Sequence, residues 1–241
     1  MPKIIIFGGS SEIANAIDAA ITSKYPSLYS NTLRISTSME GANVIKWNPS
    51  DSLNLESIFT KIPFEKDDLI ILAIGHLGKS QVNAFDTFEK GEVKAILNIN
   101  LNLNTFLLFE CYESLKNCGG GRILLLSSVA GYPVLSSNLV YGTSKRALDI
   151  LALGLQEISK GSNIRISIVR CGFVPTKLNE GRSPTPFAIT ANKVGELVAK
   201  NFDQEIIWAP KIFKFISQFL SSSSFLQKVA SRRVIKSRSG L

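Results

Sequence analysis

The chain has 241 residues, of which 45% are hydrophobic, so it can bury the core of one large α/β domain or of two small ones. Its three cysteines and its single histidine, His76, form no CxxC pair and no Cys/His cluster, which argues against a zinc site or a disulfide framework. A formal charge of +8 indicates an anionic partner such as a nucleic acid, a lipid headgroup or a phosphorylated ligand.

Short apolar runs alternate with helical patterns as far as about Pro210. The runs that predict strands are 3–7, 33–36, 43–46, 69–73, 122–126, 165–169 and 205–208. A first helix is predicted after the first run, with others at about 53–62, 91–117, 141–160 and 191–202. This alternation predicts one Rossmann-type α/β domain over residues 1–210, with a doubly wound sheet of seven mainly parallel strands between two helical layers.

Two observations bear on membranes and targeting. The apolar run before the glycine pair at the N-terminus, residues 4–7, has four residues, which is too short to predict a signal peptide. We find no run of the about 18 to 20 apolar residues needed to cross a bilayer. We therefore expect a cytoplasmic protein, free or bound to the inner face of the membrane.

The turn "FGGSSEIANAI", residues 7–17, joins the first predicted strand to the first helix. In dinucleotide-binding folds this turn directs backbone amides at a pyrophosphate. Gly8 allows the tight turn, and the small residues after it let a phosphate approach the backbone. The residues expected to bind the cofactor here are Gly8, Ser10, Ser11, Glu12 and Ile13. The alternative is a plain turn, with Glu12 favoured only by the helix dipole.

Three further strand ends bear on the cofactor. The second strand leads into "RISTSME" (34–40) with no aspartate or glutamate at its tip, where an acidic residue usually binds the ribose of NAD, so NADH and NADPH both remain candidates. Asn48, after the third strand, and Gly75, after the fourth, are expected beside the cofactor, although Asn48 also suits a simple turn. His76 fits a packed or solvated loop residue better than a catalytic one.

A serine, a tyrosine and a lysine stand at suggestive spacings. Ser128 lies at the carboxyl end of the fifth predicted strand, where open α/β sheets bind ligands. Tyr141 follows thirteen residues later, and Lys145 is four residues further on, on the same face of a predicted helix. A nearby ammonium stabilises a tyrosinate and lowers its pKa, and a serine can polarise the same substrate oxygen. The set predicts carbonyl reduction by hydride transfer.

With these motifs the chain resembles the short-chain dehydrogenase/reductase family over nearly all of residues 3–208. The matching phrases are "GGSSEIA", "AIGHLG", "INLN" (99–102), "YGTSK" (141–145) and "RCGFVPT" (170–176). The asparagine of the family pattern falls on Asn100, twenty-eight positions before Ser128, although Asn98 and Asn102 are close enough to make that register ambiguous.

The resemblance implies a role for each matched position. Tyr141 would protonate the carbonyl oxygen and also contact the cofactor, and Ser128 would hold that oxygen. Lys145 would bind the nicotinamide ribose and lower the pKa of Tyr141, and Asn100 would support a proton relay through water. The late turn would add three cofactor-binding residues: Gly172, Val174 and Thr176. The departures from the pattern, Glu12, Ala14 and Cys171, remove no catalytic group.

Four phrases also resemble a subfamily of reductases that act on a 2-keto pentose carried by a polyprenyl phosphate, in the synthesis of cell-envelope arabinan. They are "GGSSEIA", "AIGHLG", "VRCGFVPTKLNEG" (169–181) and "IIWAP" (206–210). The resemblance implies a lipid-linked keto sugar as substrate.

The C-terminal segment, residues 211–241, is expected to be a basic amphipathic appendage. It carries seven Lys or Arg residues and no acidic ones, and an apolar helical face runs from Ile212 to Leu220. A second short apolar group follows at 225–229. Such a helix can lie in a membrane interface. Equally, it can cover the substrate site or contact a second subunit, and we expect a homo-oligomer.

Other functions stay open at this point. The same chemistry could serve a 3-oxoacyl thioester or a soluble ketone. A non-catalytic dinucleotide-binding sensor or scaffold needs none of the proton-delivery groups, so the complete set argues against it. Nucleic-acid binding is not expected, because the basic segment is rich in phenylalanine and lacks a recognition motif.

Overall fold

The computed structural model describes residues 1–48, 55–78, 89–134 and 138–221. Its strands are β1 (Ile4–Phe7), β2 (Thr32–Ser36), β3 (Val44–Lys46), β4 (Asp68–Leu72), β5 (Gly121–Ser128), β6 (Ile164–Cys171) and β7 (Ile206–Ala209). They form one sheet in the order β3-β2-β1-β4-β5-β6-β7, and every neighbouring pair is parallel. Each strand overlaps a predicted one, so the fold prediction is confirmed.

The helices also follow the predicted positions. They are α1 (Glu12–Lys24), α2 (Glu56–Phe59), α3 (Lys90–Leu97), α4 (Asn104–Asn117), α5 (Leu139–Ile158), α6 (Ala191–Lys200) and α7 (Ile212–Ser221). The helix predicted over 91–117 is α3 and α4 joined by a π-helical segment, Asn98–Leu103. A short 3₁₀ turn, Lys177–Asn179, follows β6. Part of the helix predicted over 53–62 lies outside the described residues.

The core lies on both faces of the sheet because successive strand residues point to opposite sides. In β1, Ile5 and Phe7 belong to a cluster that α4 and α5 cover, whereas Ile4 and Ile6 pack with α1 and α6. All four of these side chains have no exposed surface. Burial on two faces explains why most strands are continuously apolar in sequence. The doubly wound layers leave the carboxyl ends of the strands together at one edge.

The last described helix, α7, lies against β7 and the turn after β6. Phe213 forms an edge-to-face pair with Phe187, at 6.1 Å between ring centroids. In contrast, Phe215 and Phe219 are 65% and 66% exposed on the outer face. None of the described helices is long and apolar enough to cross a membrane. The predicted domain boundary at residue 210 stays a prediction, and the apolar group predicted at 225–229 lies outside the described residues.

Candidate active site

The turn after β1 presents backbone amides at the start of α1. Gly8 adopts a φ of +90°, which favours glycine, and the N–H groups of Gly8 and Gly9 donate to Ile35 O at 3.1 and 2.9 Å. The Ser11 hydroxyl caps α1 by accepting a backbone N–H. A Cβ on Gly9 would lie 2.8 Å from Arg34 Cβ, so glycine is required where the turn crosses β2.

A cleft of about 510 Å³ opens beside this turn, between the carboxyl ends of β1 and β4. The strand order reverses at this point, which is where doubly wound sheets bind ligands. Seven of the predicted cofactor-binding residues line it: Gly8, Ser10, Ser11, Glu12, Ile13, Gly75 and Thr176. The cleft also contains residues not predicted for this role: Ile35, Ser36, Thr37, Ser38, Trp47, Ala73, Ile74, Lys177 and Leu178.

Some of the residues that were not predicted for this role could have been found from the parallel arrangement of the strands. Phe7 pairs with Ile35 on one side and with Leu72 on the other. The residues that directly follow β2 and β4 must therefore share an edge with the glycine turn. By contrast, Lys177 and Leu178 reach the cleft through the path of the chain after β6, and no local pattern indicates that path.

Five predicted cofactor residues are not among those that line this cleft: Asn48, Tyr141, Lys145, Gly172 and Val174. Asn48 lies in an adjoining cleft of about 780 Å³, next to Trp47, which lines both. Gly172 packs against α7, since a Cβ there would lie 2.8 Å from Phe213 Cε2. The side chain of Val174 is 1% exposed and belongs to the core. A ligand in the main cleft could meet Gly172 and Val174 only through their backbone.

Glu12 joins the two sides of the cleft. Its carboxylate accepts the backbone N–H of Lys177 at 2.8 Å, across 165 residues of sequence. Glu12 stands in the first turn of α1, where the helix dipole favours a negative charge. A bound pyrophosphate would meet this carboxylate at the same helix end, so Glu12 adds repulsion there as well as a contact between the two loops.

Asn100 reaches the loop after β4, as does Asn104, whose amide donates to Ile74 O at 3.2 Å. The Asn100 amide accepts the His76 N–H and donates to His76 O, both at 2.7 Å, and its side chain is fully buried. Asn98 and Asn102 instead pair with each other at the surface. The π-helical segment carries Asn98, Asn100 and Asn102, and such segments frequently occur at functional sites. The contact with His76 distinguishes Asn100 from Asn98 and Asn102, and its role as the asparagine of the motif stays a prediction. The His76 imidazole lies 3.4 Å from a Glu92 carboxylate oxygen.

Lys145 extends from α5 beneath the same loop. Its side chain is 4% exposed, and its ammonium donates to Leu126 O at 3.2 Å. A Cβ on Gly75 would lie 3.7 Å from Lys145 Nζ and 3.6 Å from Asn100 Oδ1, so both side chains pack close to this glycine. Burial lowers the pKa of Lys145 to about 8, although the Asp149 carboxylate acts in the opposite direction.

Ser128 and Tyr141 stand next to each other at the end of β5. The Ser128 hydroxyl accepts the Ala130 N–H at 3.1 Å and donates to Cys171 O at 3.4 Å. Burial raises the pKa of Tyr141 to about 12, while hydrogen bonding with Ser128 and the charge of Arg182 act to lower it. We expected Lys145 to lower this pKa below its usual value. In this structure burial of the phenol dominates, and the cation with a resolved effect is Arg182.

Arg182 is a residue near the site that no motif indicated. It follows the 3₁₀ turn after β6, and its guanidinium donates to Gly78 O at 3.4 Å, on the loop after β4. Its charge is close enough to lower the pKa of Tyr141. Arg182 therefore lies near enough to act on the phenol electrostatically, although it belongs to a segment for which the sequence predicts no regular structure.

The fold and these side chains define a nucleotide-binding α/β protein with acid–base groups at the sheet edge. Residues 35–186 match the family model for short chain dehydrogenases. The match covers more than half of the chain, which therefore belongs to the short-chain dehydrogenase family. The family resemblance inferred from the motifs is confirmed.

Two curated relatives are uncharacterised oxidoreductases. One, from Mycobacterium tuberculosis, is 32% identical over 142 residues, which are 58% of this chain and 56% of that protein. The alignment thus spans little more than half of the relative. The other, from Streptomyces coelicolor, is 26% identical over 225 residues, which are 86% of this chain and 87% of that protein.

Solved structures share the fold at low identity. A short-chain dehydrogenase from Burkholderia cenocepacia, in complex with NADP, superposes with a TM-score of 0.76 at 14% identity, covering 95% of this chain and 97% of that one. A 3-oxoacyl-[acyl-carrier protein] reductase from Brucella melitensis, in complex with NAD, gives 0.73 at 17% identity, covering 86% and 94%. At these identities the likeness establishes the common architecture.

Proposed function

We propose that this protein is an NAD(P)H-dependent reductase that converts a keto group into a secondary alcohol. One observation carries the proposal. Gly75 lines a cleft of about 510 Å³ and has Asn100 Oδ1 and Lys145 Nζ close behind it, while Tyr141 is hydrogen-bonded with Ser128 at the end of β5. Membership of the short-chain dehydrogenase family supports the same reaction class. A sensor or scaffold would have no use for these four polar side chains.

The cleft fits a nicotinamide dinucleotide. The left-handed turn at Gly8 brings Ser10, Ser11 and the first residues of α1 to the wall of the cleft, and a helix N-terminus there suits a pyrophosphate. Ser10 and Ser11 would contribute hydroxyls there, and Gly75 and Thr176 would line the path towards Tyr141. The cofactor, when bound, supplies hydride to the carbonyl carbon.

The proposed proton chemistry uses the protein's own groups. With a pKa of about 12, Tyr141 is protonated at neutral pH and can donate its proton to the carbonyl oxygen. Ser128 would hold that oxygen by a hydrogen bond. Lys145, with a pKa of about 8, is mostly charged at pH 7 and would bind a ribose hydroxyl. Asn100 would carry the proton relay at the backbone of His76.

Either NADH or NADPH is compatible with the described end of β2. Ser36, Thr37 and Ser38 line the cleft there with hydroxyls and without a carboxylate. The Arg34 guanidinium is directed away from the cleft, because it donates to Asp18 Oδ2 on α1 at 2.5 Å. The described residues here include neither a carboxylate for the ribose hydroxyls of NADH nor a cation directed at the 2′-phosphate of NADPH. A comparison of the dissociation constants of NADH and NADPH decides between the two cofactors.

For the substrate we propose the 2-keto sugar of a polyprenyl-phosphate-linked pentose. This is the substrate class of decaprenylphosphoryl-2-keto-ribose reductase, which the loop phrases resemble. Two structural features support it. Arg182 offers a positive charge near Tyr141 for a phosphate close to the carbonyl. The outer face of α7 presents Phe215 and Phe219 at one end of the domain, flanked by Lys211 and Lys214.

The same helix supports peripheral contact with the inner face of the cell membrane, where a lipid-linked sugar is found. Basic residues near an anionic bilayer contribute about 1 kcal/mol each. Homo-oligomerisation is supported by a different surface, on α4 and α5. Its exposed apolar residues are Phe106, Phe109, Ile150 and Ile158.

The reductase proposal is tested with Tyr141→Phe. Loss of a general acid lowers turnover about 10²- to 10⁴-fold, while NAD(P)H binding should change little because the ring remains. The matched control is Tyr29→Phe, since Tyr29 is also buried, but its hydroxyl bonds Asp67 O far from the site. Turnover within twofold of wild type in the Tyr141 variant would remove the proposed acid.

The substrate is tested with a panel of ketones in one NAD(P)H oxidation assay: a polyprenyl-phosphoryl 2-keto pentose, soluble keto sugars and a 3-oxoacyl thioester. We expect the lipid-linked sugar to give the highest kcat/KM. A preference for the thioester would replace this substrate and leave the reductase proposal in place. Membrane contact is tested by vesicle flotation of the full chain and of Phe215→Ser/Phe219→Ser, which should bind less.

A further inference from the structure

A buried cluster of charged and aromatic groups lies one helical turn beyond Lys145. Asp149, also on α5, is fully buried, and its Oδ2 accepts from Tyr132 Oη at 2.6 Å and from Arg170 Nε at 2.7 Å. Arg170 Nη2 donates to the same Tyr132 Oη at 2.6 Å. These three side chains form a closed hydrogen-bonded triangle, called the Asp149 triangle below. No role has been given to it so far.

The triangle connects the elements that carry the proposed active site. Tyr132 belongs to the loop that begins with Ser128, Asp149 to the helix of Lys145, and Arg170 to the end of β6. Aromatic contacts tighten these links, since the Arg170 guanidinium lies 3.9 Å from the Tyr132 ring centroid and 4.8 Å from that of Trp208 in β7. A shift of any of these elements would break short, charge-assisted bonds.

Charge gives the triangle a second effect on the site. Lys145 and Arg170 are 4% and 5% exposed, so both cations are removed from water near one carboxylate. Asp149 Oδ1 is buried and has no hydrogen-bond partner in the described residues, so its charge acts through space. Cys171 is the other titratable group that acts on Lys145, whereas Arg146 and Arg170 both lie over the Tyr132 ring of the triangle.

Buried ion pairs are weak evidence for stability, because desolvation cancels much of their attraction. The ion pair between Asp149 and Arg170 lies one helical turn from Lys145, so a role in positioning Lys145 explains its presence better than a gain in stability does. We propose that the Asp149 triangle is a positioning device: it holds α5, and with it Lys145, in register with β6, and the Asp149 carboxylate, one helical turn from Lys145, favours the charged ammonium. The inference rests on the proposed reductase function.

The test is the pH dependence of two readouts, kcat/KM and the dissociation constant of NAD(P)H, for Asp149→Asn. Asparagine keeps one acceptor oxygen and removes the charge. We expect the alkaline limb of both profiles to move about one pH unit lower, as Lys145 loses its proton more easily. Glu157→Gln is the matched control, because it removes one acidic charge from the same helix at an exposed position. The alkaline limbs of both of its pH profiles should stay at their wild-type pH. An unchanged alkaline limb in Asp149→Asn would overturn the proposal.

Asp149→Asn leaves Arg170 without its carboxylate and could fail to fold, so a second variant keeps both charges. Tyr132→Phe opens the triangle by one hydroxyl and retains the ring under Arg170. We expect about threefold to tenfold lower kcat with an unmoved alkaline limb. Wild-type kcat in this folded variant would contradict the positioning role. A wild-type chain that binds NAD(P)H and reduces no ketone would end the reductase proposal, whereas the pH dependence of binding would still report on Asp149.

Discussion

Lys145→Met should stabilise the protein while it abolishes the proposed activity. Lys145 is 4% exposed, and its pKa is lowered from 10.5 to about 8 because burial disfavours the ammonium. One pKa unit corresponds to about 1.4 kcal/mol, so a charged Lys145 costs about 3 kcal/mol of folding free energy. Methionine fills similar space without the charge, but it leaves Leu126 O unbonded, which returns about 1 kcal/mol.

The expected net gain at pH 7 is therefore about 2 kcal/mol, or about 4 to 8 °C in Tm for a chain of this size. Its pH dependence follows from the direction of the shift. The folded-state pKa lies below the unfolded one, so wild type carries the full penalty below pH 8 and loses it as the pH rises towards 10.5. The stability gap between variant and wild type should close over that window.

The assay is thermal or urea unfolding of both proteins at pH 7 and at about pH 10. Lys116→Met is the matched control, because Lys116 is 60% exposed and pairs only loosely with Glu113, at 3.4 Å. This control should unfold within about 0.5 kcal/mol of wild type at both pH values. A Lys145→Met protein no more stable than wild type at pH 7, or a gap that persists at pH 10, would refute the reasoning.

Three further variants test other parts of the site. Gly9→Ala forces a Cβ to 2.8 Å from Arg34 Cβ, so it should lower the free energy of unfolding by about 1 to 3 kcal/mol and weaken NAD(P)H binding. Gly154→Ala, with open space around it, should do neither. Equal melting temperatures of the two variants would contradict this. Glu12→Gln keeps an acceptor for the Lys177 N–H and removes the negative charge, so NAD(P)H should bind about threefold more tightly at low salt. Weaker binding would show that the carboxylate is needed. Arg182→Gln should raise KM about tenfold for a phosphate-bearing ketone and much less for a neutral one. Arg165→Gln, exposed at the opposite edge of the sheet, should change neither KM. An equal rise in KM for both ketones would mean that Arg182 binds no anion.

Much of the fold could be predicted from the sequence because its signals are local. Burial on both faces of a parallel sheet makes each strand a short apolar run, and the intervening helices show their own period. The glycine turn and the Tyr141–Lys145 pair are also local, since each lies within a few residues of one element. Ser128 was recognisable because strand ends in such sheets form the binding edge.

Only the tertiary structure could select Asn100 among three neighbouring asparagines. The choice depends on a contact with the His76 backbone, twenty-four residues away in sequence. The bond between Glu12 and Lys177 and the Asp149 triangle have the same character, because they join elements that periodicity describes one at a time. Arg182 lies in an irregular segment, where no pattern indicates which way the chain runs.

The pKa values show the same division. The sequence placed a lysine one turn from a tyrosine and so predicted a lowered phenol pKa. The folded protein raises the pKa of Tyr141 to about 12 and lowers that of Lys145 to about 8, because burial outweighs the neighbouring charges. Sequence determined which groups are present at the site, and tertiary packing determined how much water each one keeps, which sets its protonation state.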